Sequence, residues 1–222
     1  MNKKSNLLLA AVFILGNSFC NAQKKQISNF IPIGYSLFEE YNGDLNNDGL
    51  EDIVLIVKDT KKENIIINRF GEEVDRNRRG IIVLFNKENN YELVVENLNC
   101  FSSEDEDGGV YFAPELWINI ENKNLKIHYG HGRYGYWEYI FRYDKSDFKL
   151  IGYESSENRG PVVINKTSIN FLTQKKLILK NTYQNSEYED EVFDETWHKI
   201  NIDNLIKLSN INDFDELDMS IF

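Results

Sequence analysis

Tyr136-Trp137-Glu138-Tyr139-Ile140-Phe141-Arg142-Tyr143 sets an aromatic ring at every second position from Trp137 to Tyr143, with Tyr136, Glu138, Ile140 and Arg142 between them. A period of two sends alternate side chains to opposite faces of an extended chain, so this stretch reads as a β-strand with one wholly aromatic face turned to a core. Its neighbours read the same way. Glu115 to Ile120, Leu125 to Gly130 and Phe148 to Glu154 are short β-branched or aromatic runs, joined by Asn122-Lys123-Asn124 and Asp144-Lys145-Ser146-Asp147. Runs of this kind between Asn, Asp and Gly clusters predict antiparallel strands linked by turns, here a four-stranded meander.

The pattern extends both ways along the chain. Upstream, Tyr35 to Tyr41, Asp52 to Lys58, Gly80 to Asn86 and Tyr91 to Asn97 predict a second meander, its last two strands joined by the polar turn Lys87-Glu88-Asn89-Asn90. Downstream, Ser168 to Thr173 and Lys176 to Lys180 form a shorter third group, and Asp203 to Leu217 has scattered apolar positions suited to a short helical turn. The expected fold is all-β: antiparallel four-stranded meanders packed in an open, propeller-blade-like or sandwich arrangement, because a closed propeller needs four or more blades. Little helix is expected beyond the N-terminal leader.

That leader occupies residues 1–22. A basic tip (Lys3, Lys4), an apolar run from Leu7 to Leu15 and a small-residue exit at Cys20-Asn21-Ala22 have the order of a secretory signal peptide cleaved after Ala22. As a helix the apolar run covers only ~14 Å, against a hydrocarbon core of roughly 30 Å, so it is too short to anchor the chain. Phe19 and Asn17 stand where a lipoprotein signal needs a small and a Leu-like residue. A periplasmic or secreted product is expected, with residues 23–222 as one β-rich domain and no membrane span.

Cleavage also changes the charge. The chain carries 25 Lys+Arg and 36 Asp+Glu; loss of Lys3 and Lys4 leaves 23 basic against 36 acidic residues, a net charge of −13. Such a surface repels phosphate backbones and anionic lipid, which argues against nucleic-acid and membrane-surface partners. Of the two cysteines Cys20 leaves with the leader, so Cys100 has no partner for an internal disulfide. At the end of an apolar strand it reads as a small buried hydrophobe rather than a nucleophile.

Asp44-Leu45-Asn46-Asn47-Asp48-Gly49-Leu50-Glu51-Asp52 is the stretch with the clearest chemistry. Oxygen side chains at its first, third, fifth and ninth positions (Asp44, Asn46, Asp48, Asp52) can converge on a hard cation if the chain curls. Gly49 permits the sharp turn, and Leu50 offers its backbone carbonyl. An EF-hand is excluded because position twelve is Leu55 rather than Glu and the flanks are strand-like. The loop resembles instead the calcium loop of FG-GAP (VCBS, integrin-type) propeller repeats, a D-x-D-x-D-G-x-x-D segment between two strands. That resemblance implies a structural calcium bound by Asp44, Asn46, Asp48, Leu50 and Asp52, with Asn46 in place of one acid weakening the site. It covers about twenty residues and occurs once. The competing reading is a plain hairpin turn at Asn47-Asp48-Gly49. A second acidic run, Glu104-Asp105-Glu106-Asp107, lacks the alternate spacing and reads as a solvated loop, as does the basic run Arg76 to Arg79.

The segment His128-Tyr129-Gly130-His131-Gly132-Arg133-Tyr134-Gly135-Tyr136-Trp137 crowds two imidazoles, a guanidinium and several rings around three glycines. As a binding surface, Tyr134 and Trp137 would stack on a sugar or peptide ring. As an enzyme, His128 or His131 would be a general base with Arg133 holding an anionic substrate, completed by a carboxylate from the 104–107 loop. A Gly-rich turn whose aromatics simply fill the core is the third reading. Gly132 to Tyr153 also resembles stretches of uncharacterised secreted bacterial proteins with one such calcium loop, which implies a compartment and no activity. No Ser-His-Asp set and no metal-binding His cluster can be assembled from local spacing. The sequence therefore favours an exported, calcium-stabilised binding or interaction module for a protein or glycan ligand over an exported hydrolase of glycans or phosphoesters.

Overall fold

The structure, a computed structural model, describes residues 27–105, 113–183 and 191–222. The expected leader, its cleavage point and the acidic positions Glu106 and Asp107 lie outside the described residues.

The first meander is a four-stranded antiparallel sheet in the order β1 (Tyr35–Gly43), β2 (Asp52–Asp59), β5 (Arg79–Asn86), β6 (Tyr91–Phe101). Its two middle strands carry continuous apolar runs because both of their faces are covered. Ile53, Leu55, Val57, Ile82 and Leu84 meet Ile27, Phe30 and Ile31 of the N-terminal segment, while Val54, Ile56, Ile81 and Val83 turn the other way into the main core. Every residue of β2 is buried. Between β2 and β5 the chain makes a small separate hairpin, β3 (Ile65–Ile67) with β4 (Glu73–Asp75), whose isoleucines stay exposed.

The second meander is longer than the sequence reading made it. β7 (Glu115–Glu121), β8 (Asn124–Gly130), β9 (Gly135–Asp144), β10 (Asp147–Arg159), β11 (Val162–Asn170), β12 (Lys175–Asn181) and β13 (Phe193–Lys199) lie side by side in chain order as one seven-stranded antiparallel sheet. The expected third group is thus the continuation of the second. β10 runs on to Arg159 and β11 begins at Val162, so the two pair over their length through a tight turn at Gly160. β13, an edge strand reading Phe-Asp-Glu-Thr-Trp-His-Lys, is largely exposed and has no apolar alternation to announce it.

The two sheets pack face to face as an open sandwich and share one core. The aromatic face of β9 lines it as expected: Tyr139 and Phe141 are buried, and Trp137 and Tyr143 are half-buried. The C-terminal segment contributes more than its spacing suggested. Leu208, Ile211, Phe214 and Met219 are buried, with a short 3-10 turn at Leu208–Asn210, and the Asn97 side-chain amide donates to the carbonyls of Leu208 and Ile211 at 2.8 Å. Cys100 is fully buried beneath it, and burial pushes its thiol far above the usual range, as fits a small hydrophobe. No helix among the described residues is long and apolar enough to cross a membrane.

Candidate functional site

The turn between β8 and β9 is shaped by one glycine in particular. Gly135 sits at φ +109°, and a Cβ there would lie 1.8 Å from the Ser156 carbonyl oxygen of β10. Only glycine lets the chain pass so close in that conformation. The turn is then closed by His131 N–H donating to the Gly135 carbonyl (2.8 Å) and Tyr134 N–H to the His131 carbonyl (3.0 Å). Gly160 N–H ties it to the next hairpin through the Arg133 carbonyl (3.1 Å).

Held this way, the turn walls a cleft of about 700 Å³ with Glu115 and Trp117 of β7, His128 and Gly130 of β8, and Tyr136 of β9. Three rings present themselves to solvent: Trp117 is 42%, Tyr134 40% and Tyr136 37% exposed. His128 is sandwiched between two of them, 4.0 Å from Trp117 at an interplanar angle of 19° and 5.1 Å from Tyr136 at 18°. Register explains the stack, because His128 is directly opposite Trp117, and Tyr136, opposite Gly130, is its diagonal neighbour on the same face. His128 Nδ1 lies 3.1 Å from Glu138 Oε2, its direct partner on β9. The Arg133 guanidinium lies 5.9 Å from the Tyr134 ring and has no carboxylate partner among the described residues.

Of the five residues expected to form a ligand surface, His128, His131, Arg133 and Tyr134 line this cleft and Trp137 does not. Trp137 is adjacent to Tyr136 in a strand, so it points to the opposite face, where it stacks on Tyr129 at 5.3 Å and 14°. The His131 ring nonetheless touches both Tyr134 and Trp137, at 5.2 Å and 6.2 Å between ring centroids. Of the 104–107 run expected to supply a carboxylate beside His131 and Arg133, Glu106 and Asp107 lie outside the described residues, and Glu104 is engaged elsewhere. Glu104 pairs with the buried Lys58 and lies 3.9 Å from Arg79.

The residues that the sequence reading missed are those brought in by register. Trp117, His128, Glu138, Glu154 and Ser168 are direct partners in turn across β7 to β11, forming one row on the outer face. Glu138 and Glu154 face each other there. Burial chiefly, with the Glu138 charge adding to it, raises the pKa of the Glu154 carboxyl, which accepts a 2.7 Å hydrogen bond from Ser168. Burial and these same two carboxylates raise the Tyr136 phenol. Such a row shows in no single strand; only cross-strand pairing assembles it.

The 44–52 loop is curled by its own side chains. Asp44 accepts from Asn47 N–H (2.5 Å) and Gly49 N–H (3.0 Å), Asn46 from Asp48 N–H (2.8 Å), and Asp48 from Leu50 N–H (2.9 Å). Gly49 takes φ +84°. Asp52 is different: it is fully buried, accepting from Leu45 N–H (2.8 Å) and Asn86 N–H (3.0 Å). Burial raises its pKa, and the charges of Asp48 and Asp44 add to that rise. Among the described residues no three His, Cys, Asp or Glu side chains are already gathered as a metal-binding group. The donor set nonetheless suits a hard cation. Its oxygens lie on one curled loop, the three acids include an unneutralised mutual repulsion at Asp52, and a carboxylate oxygen that accepts one N–H keeps a further lone pair.

No protein family, no curated protein and no solved structure matches this chain.

Proposed function

We propose that the protein is exported through a signal peptide cleaved after Ala22, to the periplasm or beyond, and binds a glycan through the cleft at the β8–β9 turn. The observation that carries this reading is the set of exposed flat rings, Trp117, Tyr134 and Tyr136, beside Arg133 and His131 on a backbone fixed by Gly135. Aromatic faces take the apolar face of a sugar ring while charged and imidazole groups hydrogen-bond its edge. In the same reading the 44–52 loop is a single calcium clip of the FG-GAP kind, with Asp44, Asn46, Asp48, Asp52 and the Leu50 carbonyl as ligands. The ion would neutralise the loop acids and brace the start of β2, away from the cleft and without a chemical step of its own.

The test is calorimetry of the protein against a panel of neutral and uronic-acid oligosaccharides, repeated with Trp117→Ala and Arg133→Ala. Saturable binding weakened at least ~10-fold by Trp117→Ala supports the reading. Binding indifferent to both substitutions removes the cleft from consideration. A hydrolase is the second reading, favoured by the His128–Glu138 contact with Glu154 opposite. Turnover of any panel glycan or of a phosphoester that depends on His128 or His131 would put it first.

A further inference from the structure

The inner face of the seven-stranded sheet carries a second cavity, of about 400 Å³, that the cleft reading does not use. Its walls are two directly opposed cross-strand pairs, Tyr129 with Trp137 and Tyr139 with Tyr153, and Phe214 of the C-terminal segment closes one side. Five aromatic residues around one space are a large apolar investment left partly uncovered, since Trp137 and Tyr153 are only half-buried. The polar side-chain groups among them are hydroxyls, the Trp137 indole N–H and one carboxylate. Asp215 brings an exposed carboxylate to the rim, and Ser102 and the tyrosines bring hydroxyls.

Two further observations narrow what would fit. The Tyr129 hydroxyl is buried and has no hydrogen-bond partner among the described residues, an expensive condition for a polar atom in a wall of rings. Among the described residues no lysine or arginine lines the cavity. Arg79, whose charge acts on Tyr129, is committed to the Ser102 carbonyl (2.9 Å) and to Glu104 (3.9 Å). Asp215 has no cationic partner among the described residues. Ring quadrupoles attract cations, a rim carboxylate attracts cations, and the chain's net charge of −11 biases its surroundings the same way.

We propose that this cavity is a binding site for a small organic ammonium group, held among the rings of Trp137, Tyr139 and Tyr153 with the Asp215 carboxylate at its mouth. A neutral sugar would find few hydrogen-bonding groups there and a purely apolar ligand would leave Asp215 unanswered, whereas an alkylammonium uses both features. The site lies on the opposite face of β8 and β9 from the cleft, so it stands or falls independently of the glycan reading.

The three tryptophans allow a direct test. Trp117→Phe with Trp197→Phe leaves Trp137 as the sole reporter, and n-butylammonium chloride is titrated at constant ionic strength against its neutral counterpart 1-butanol. The expected result is a saturable change in Trp137 emission with at least ~10-fold preference for the ammonium, reduced at least ~3-fold by Asp215→Asn. Asp215 is exposed, so that variant is expected to keep the wild-type melting point. Should the double tryptophan variant fail to fold, calorimetry on the unmodified protein with the same two ligands and Asp215→Asn gives the same comparison. No saturable binding of n-butylammonium, equal binding of both ligands, or a preference unchanged in Asp215→Asn would each overturn the assignment.

Discussion

Asp52 is the residue on which the loop and the sheet depend together, and its replacement tests both. Its two oxygens take the N–H groups of Leu45, at the start of the loop, and of Asn86, at the end of β5, in a fully buried position. Asp52→Ala leaves the Leu45 N–H buried and unpaired and deprives the half-buried Asn86 N–H of its acceptor. A buried orphaned group costs ~1–3 kcal/mol and a half-buried one somewhat less, so the expected loss is ~2–5 kcal/mol, a large share of a total of about 5–15. In a chain of this size that lowers the melting point by about 5–15 °C, and Asp52→Asn, which keeps volume and one acceptor, should fall between. The pH dependence has a defined sign. Burial raises the folded-state pKa above the unfolded value. The associated stability is therefore fully present below the unfolded pKa and lost as pH rises through the folded one. The wild-type advantage over Asp52→Asn should grow as pH falls from neutral into that window. Calcium favours the carboxylate and should reverse this slope. The assay is urea unfolding between pH 4 and 7 with and without calcium. A loss below ~1 kcal/mol for Asp52→Ala at unchanged m-value would refute the argument that this carboxylate is the tie between loop and sheet.

Asp48 is exposed and its acidity is increased chiefly by Leu50 N–H, so Asp48→Ala should leave the calcium-free urea midpoint close to that of the wild type. In calorimetry it should abolish calcium binding, together with the gain of about 2.7 kcal/mol expected at a hundredfold excess over Kd. Gly135→Ala meets both a positive φ and the Ser156 carbonyl, so it should cost more than ~2 kcal/mol in urea unfolding and remove glycan binding. Cys100, buried and held protonated, should be silent to a thiol reagent at pH 8 and react only once denaturant is added; reaction in native buffer would contradict its burial.

What could be read from the sequence follows from how each strand is buried. β9 announces itself because one face is core and the other solvent, so its period of two survives in the residues. β2 and β5 announce themselves differently, by unbroken apolar runs that need cover on both sides, which Ile27, Phe30 and Ile31 supply. Strands at the margins give no such signal. β13 is an exposed edge with Trp197 61% accessible, and β3 is three exposed isoleucines, so neither has a buried face to impose a pattern. The extra length of β10 and β11 is equally silent, because Glu154 to Arg159 and Val162 to Lys166 are mostly half-exposed and their pairing rests on backbone bonds.

The site divides along the same line. His128, His131, Arg133 and Tyr134 were legible because a glycine-rich turn concentrates them within seven residues. Trp137 lines the other face of the sheet, the side opposite Tyr136 to which alternation assigns it, and meets the turn through the His131 ring. Trp117, Glu138 and Glu154 were illegible, since each is ordinary in its own strand and acquires a neighbour only through register set by the turns at Asn122 and Asp144. The same pairing that puts Trp117 against His128 on one face puts Tyr129 against Trp137 on the other, so one hairpin register builds both the cleft and the aromatic cavity. A one-residue slip would exchange the two faces and destroy both at once. That dependence gives the tight, glycine-specific closure at Gly135 a functional reason: it fixes the register from which every candidate binding residue on either face takes its place.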